Sequence, residues 1–171
     1  MVAKVIAPAT HLPFVNADHI AARQWPGEEQ THAYDASAAA AAERTSLIQA
    51  RTSFICETDF SHPSKLTLIQ QALAAGFQIE LHVVMVPEDL SIARVAHRVA
   101  TGGHQVPELK IRERYRRLWP LIVTARELAD RTWIYDNSTA ARPLRLIAQY
   151  DRGALVGPAD YPSWAPAVPL G

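Results

Sequence analysis

SFICETDFSHPSKLTLIQQALAAGFQIELHVVMV, residues 53–86, reads as strand, helix, strand. SFICET (53–58) is a short apolar run that turns polar at its end, and FQIELHVVMV (77–86) is β-branched and almost wholly apolar until Pro87 stops it. Between them, Pro63 stands near the start and Gly76 just past the end of a helical stretch, the asymmetry that helix termini favour. Outward from this unit the alternation continues. LPFVNAD (12–18) predicts a strand with a polar end, and THAYDASAAAAAERTSLIQARTS (31–53) an Ala-rich helix. Helices are predicted around 88–101 and 108–130, the second bent at Pro120, followed by a strand at TWIYDN (132–137) and a strand or hairpin at RLIAQYDRGALV (145–156). MVAKVIA (1–7) reads as the last turns of a helix that Pro8 stops. The pattern predicts an α/β domain over residues 1–157, with a mostly parallel sheet flanked by helices. Residues 158–171 form a Pro-rich tail, predicted to stay out of the core.

Composition narrows the classes. A chain of 171 residues suits one domain, and 17 basic against 17 acidic residues exclude a generally basic protein that clings to any polyanion. Nucleic-acid binding is therefore not expected. No apolar run approaches the ~20 residues of a membrane helix. The N-terminus is too short and Pro-broken for a signal peptide, so the expected location is the cytoplasm. The single cysteine, Cys56, allows no internal disulfide and sits in an apolar strand, where it reads as core and not as a nucleophile.

In parallel sheets, ligands bind beyond the carboxyl ends of the strands. Asp18, Glu57 and Asp136 each close a predicted strand. If the first two strands are parallel neighbours, Asp18 and Glu57 overhang one crevice, an arrangement suited to taking a proton from a hydroxyl and gripping a polar substrate. Position alone leaves open that such residues merely cap the next helix or loop. A second feature is RVAHRVATGGHQVPELKIRERYRRL (94–118), which gathers arginines around Gly102 and Gly103 between two helices. Arg94 and Arg98 are four apart on one helical face, as Arg114 and Arg117 share a face of the next. Glycine pairs permit hinge motion, and guanidinium groups suit charge on a transferring phosphoryl group. The stretch predicts an anion-binding lid. His97 and His104 lack the further His or Cys that a metal site requires, and Tyr34, Trp25 and Trp119 fit either core packing or base stacking.

FVNADHIA, ICET and FSHPSK on either side of Asp59, RVAHRVATGGHQVPE, and YDNS at 135–138 together resemble the zeta-toxin family of P-loop kinases, in consistent order over about residues 1–140. The resemblance implies ATP- and Mg2+-dependent phosphorylation of a hydroxyl of UDP-N-acetylglucosamine, often by the toxin of a toxin–antitoxin pair. It gives Asp18 the role of catalytic base and Arg98 that of stabilising the transferred phosphoryl group. Glu57, with Thr58 and Asn16, would hold the nucleotide sugar, and Arg94 and His104 would serve the lid. Asp59 departs from the small or apolar residue the pattern implies.

The largest departure is the pattern G-x-x-x-x-G-K-[ST], which occurs nowhere in the 171 residues. MVAKVIAP resembles the end of the helix that comes after such a loop, which predicts a chain lacking its first strand and phosphate loop, with exposed strand edges as the consequence. The alternatives are a non-catalytic remnant that binds a partner, such as an antitoxin, or a nucleotide sugar, and a kinase for another small molecule.

Overall fold

The computed structural model describes residues 7–100 and 106–166. The elements are α1 (Ala7–Thr10), β1 (Phe14–Val15), α2 (Ala17–Gln24), α3 (Ala33–Gln49), β2 (Ile55–Cys56), α4 (Ser64–Ala74), β3 (Glu80–Met85), α5 (Glu88–Ala100), α6 (Glu108–Leu128), β4 (Arg131–Asp136), β5 (Arg145–Asp151) and β6 (Ala154–Leu155). The α/β class predicted from the alternation is what forms. Of the helix predicted over residues 1–7, residues 1–6 lie outside the described residues; α1 continues through Pro8 to Thr10, and it is His11, at φ 55°, that turns the chain.

Two compact units divide the chain. The first holds the residues up to Asp59, with Ala74–Phe77. Its sheet is the parallel pair β1–β2, with Phe14 opposite Ile55 and Val15 opposite Cys56. Helix α3 supplies Ala36 and Ala40, both buried with Val15, Ile20 and Ala21. Alanine at these two positions, one helical turn apart, lets the α3 backbone approach closely. Cys56 packs against the same cluster, as an apolar strand position should.

The second unit holds Phe60–Leu73 and the residues from Gln78 onward. Its sheet has the order β3-β4-β5-β6. β3 and β4 are parallel, while β4–β5 and β5–β6 are antiparallel, so the hairpin turns the parallel start into a mixed sheet. Val83, Met85, Ile134 and Ile147 are buried with Ile69 of α4 and with Trp119, Ile122 and Ala125 of α6. The register shifts between Ile134 and Tyr135, and this irregularity allows the consecutive Ile147 and Ala148 both to be buried. Helix α6 continues through Pro120.

The tail corrects the sequence reading. Tyr161, Trp164 and Ala165 pack against the second unit's core, the Tyr161 hydroxyl lies 2.8 Å from that of Tyr150, and the Asp160 amide donates to the Ile147 carbonyl at 2.8 Å. Aromatic residues interleaved with the prolines supply apolar area that an all-polar tail would lack.

Candidate functional site

In the first unit the predicted carboxylates come from neighbouring parallel strands. The Glu57 amide donates to the Val15 carbonyl at 3.4 Å, continuing the β1–β2 ladder by one residue. Glu57 and Asn16 thus stand at the carboxyl ends of adjacent strands, about 4.8 Å apart in the ladder direction. Asp18 departs from the strand-end reading: it lies in the first turn of α2, the helix that begins directly after β1. Asn16 is the N-cap, with extended backbone at φ −142°, and its side-chain oxygen accepts from Asp18 N at 2.7 Å and His19 N at 3.2 Å. A carboxylate in the first helical turn is also favoured by the helix dipole. Asp18, Glu57, Thr58 and Asp59 are exposed and Asn16 is half-buried. Asn16 and Glu57 therefore stand at neighbouring strand ends, with Asp18 in the helical turn that Asn16 caps and Thr58 next to Glu57 in sequence.

In the second unit Arg94 and Arg98 lie on α5, exposed and four residues apart as the helical spacing predicted. No residue of α5 is fully buried. Glu88 and Asp89 occupy its first turn and His97 and Arg98 its last, a charge order that complements the helix dipole. Arg94 is engaged in a way the sequence did not indicate: its Nη2 donates to the Asn137 carbonyl at 2.8 Å. Gly102, Gly103 and His104 lie outside the described residues. Arg114 and Arg117 are exposed on α6.

The sequence reading missed Arg112. Its guanidinium reaches Glu108 at 2.8 Å, Glu88 at 3.3 Å and Asp89 at 3.3 Å, fastening the first turns of α5 and α6. The Glu108–Arg112 spacing of four was the available signal. Nearby, the Tyr115 hydroxyl donates to the Val86 carbonyl at 2.9 Å, and burial, with Glu88 close by, raises its pKa above the usual phenol range, keeping it a donor. Asp136, predicted only as a strand end, is buried and accepts from Ser138 N at 2.8 Å and from Arg145 at 3.2 Å.

A cavity of about 340 Å³ in the second unit is lined by Gln78, Glu80, Asp130, Arg131, Asp151 and Arg152 and contains none of the predicted site residues. No group of three or more His, Cys, Asp or Glu suited to a metal ion occurs among the described residues. Tyr34 is 92% exposed, so core packing does not explain it, whereas Trp119 is buried. No helix among the described residues is long and apolar enough to cross a membrane.

The chain matches the family model described as zeta toxin over residues 18–144. This span runs from the candidate base to the residue before β5. No curated protein and no solved structure matches the chain.

Proposed function

The chain belongs to the zeta toxin family, whose fold is P-loop kinase-like, and from that premise we propose that it transfers the terminal phosphoryl group of ATP to a hydroxyl of UDP-N-acetylglucosamine, as the toxin of a toxin–antitoxin pair. The observation that supports this reading most is the parallel β1–β2 pair: Glu57 directly follows β2, and Asp18 lies in the first turn of the helix that follows β1. Asp18 accepts the proton of the attacking hydroxyl. Glu57 and Thr58 bind the sugar, and Asn16 fixes the turn from which Asp18 projects. Arg98 stabilises the charge that develops on the transferring phosphoryl group, a contribution that preorganised donors make worth several powers of ten in rate.

ATP and Mg2+ are the cofactors the family implies. The α5 arginines fit the charge of a terminal phosphate. The glycine-rich loop that cradles the inner phosphates is not among these 171 residues, and the described residues offer no metal-binding set. When bound, the nucleotide supplies the phosphoryl group.

The test uses protein expressed from the complete reading frame, including whatever is encoded ahead of Met1. It is incubated with ATP labelled in the terminal phosphate and a panel of UDP-sugars and other hydroxylated small molecules. Label in the nucleotide sugar supports the proposal. Label in another acceptor moves the substrate assignment. Binding of the nucleotide sugar without any labelled product favours a binding-only protein.

A further inference from the structure

Residues 145–166 lie beyond the segment matched by the family model, yet they are joined to α5 by a continuous series of polar contacts. Arg94, on α5, donates to the Asn137 carbonyl. Asn137 opens the turn after β4, and its own amide donates to the Met85 carbonyl at 2.9 Å. Within that turn the Ser138 amide donates to Asp136 Oδ1 at 2.8 Å. Asp136 is only 8% exposed, and its second oxygen accepts from Arg145 Nη2 at 3.2 Å. Arg145 stands opposite Asp136 in the antiparallel register, and its Nη1 bonds Asp160 in the tail. Asp160 is anchored in turn by the hydrogen bond its backbone N–H donates to the Ile147 carbonyl, and the next residue, Tyr161, by the hydrogen bond between its hydroxyl and that of Tyr150.

Physical considerations make Arg145 the link on which the series depends. A buried carboxylate that loses its cationic partner is left with uncompensated charge, and it regains solvation by turning toward water. Asp136 would then release the Ser138 amide and open the turn that presents the Asn137 carbonyl. Arginine suits the position because its planar fork can hold two carboxylates at once, which an ammonium does less well. Helix α5 has no fully buried residue, only half-buried apolar ones such as Leu90, Ile92, Val95 and Val99, so polar tethers, among them Arg94–Asn137 and the Arg112 cluster, contribute to its placement.

We propose that Arg145 is a positioning residue for α5: braced by Asp160, it holds the 136–138 turn in the form that receives Arg94, so that the C-terminal segment governs where the arginine-bearing helix stands. The functional meaning of this control rests on the reading of α5 as a phosphate-binding lid. The contact series itself does not.

The experiment is amide hydrogen exchange on the whole protein, without substrate, for the wild type, Arg145→Met, Asp160→Asn, Arg94→Met and the Arg94→Met/Arg145→Met double variant. Arg145→Met should speed exchange at Ser138 and across residues 88–100 by about fivefold or more, the scale of losing one charge-assisted bond. Asp160→Asn should act in the same direction and less. Arg94→Met should speed exchange on α5 but leave Ser138 protected. On α5 the double variant should exchange no faster than the faster single variant, because both changes break one series. A general loosening of the fold would instead give additive effects. Unchanged α5 exchange in Arg145→Met, or full additivity in the double variant, overturns the inference. Should Arg145→Met fail to fold, Asp160→Asn decides: its side chain is 80% exposed, and it must still speed exchange on α5. Coupled exchange in a protein that transfers no phosphate would leave this inference standing and remove the proposed function. Phosphotransfer with uncoupled exchange would do the reverse.

Discussion

The backbone amide of Asp18 donates to the side chain of Asn16 at 2.7 Å. This bond makes one residue the cap of α2 and places the other in its first turn, so the candidate base is held by helix geometry. A short strand that passes directly into a capped helix leaves little freedom for the carboxylate's origin. Asn16→Ala should remove the cap, cost about 1 kcal/mol of stability and lower phosphotransfer. Asn16→Asp should keep both, since aspartate caps as well as asparagine. Thermal unfolding alongside a transfer assay checks this, and equal stability of Asn16→Ala and wild type would show that the cap does not hold the turn.

Asp136 predicts an acid limb in stability. Burial alone would raise its carboxyl, but the bonds from Ser138 and then Arg145 prevail and hold it below the ordinary 3.8. Above 3.8 the group is ionised in both folded and unfolded chains and its stabilisation is fully present. As pH falls below that value the unfolded chain takes up the proton first, and the stabilisation is lost through the lower folded value. Asp136→Asn should flatten this limb in denaturant titrations at descending pH and reduce stability at neutral pH.

His82 should add a separate limb at higher pH. It stacks on Trp133 at 4.7 Å and its ring nitrogen lies 3.2 Å from the Tyr135 hydroxyl. Its surface stays open to solvent, but partial desolvation of the ring between Trp133 and Tyr135 holds it below the ordinary 6.5, with Glu80 opposing. The unfolded chain therefore binds the proton first as pH drops through 6.5, and stability falls there. His82→Phe should remove that fall. Persistence of the same slope in the variant would assign it elsewhere.

The tail should behave as part of the second unit. Tyr161→Phe removes the partner of the Tyr150 hydroxyl and should cost on the order of 1 kcal/mol. That corresponds to about 2–4 °C in melting temperature for a chain of this size. Trp164→Ala should cost more, since it removes apolar area packed on the core. Melting temperatures of both variants indistinguishable from the wild type would return the tail to the unattached state its prolines suggested.

Much of this was legible in the sequence because the signals were local. Pro63 and Gly76 bracketed α4, which spans Ser64–Ala74, and the apolar run after it contained β3. The spacing of Arg94 and Arg98 placed them on one face of α5. What the sequence concealed depended on residues far apart along the chain. Nothing local marks Asn137 as the carbonyl partner of Arg94, 43 positions earlier. The Arg145–Asp160 bond and the burial of Trp164 likewise require the β5 register and the tail's path, and proline content pointed the other way. The strand reading of 12–18 failed at its end because asparagine serves a strand terminus and a helix cap alike, and only the backbone after Asn16 separates the two.

If Asp18 takes the proton of the acceptor hydroxyl, Asp18→Asn should disable transfer while leaving the fold intact. The residue is exposed, and asparagine preserves its shape, so the fold should be unaffected. With protein from the complete reading frame, transfer of label from ATP to UDP-N-acetylglucosamine should fall by about 10²–10⁴-fold in the variant, the usual worth of a general base. Its melting temperature should match that of the wild type. Transfer by Asp18→Asn at the wild-type rate would exclude Asp18 as the base.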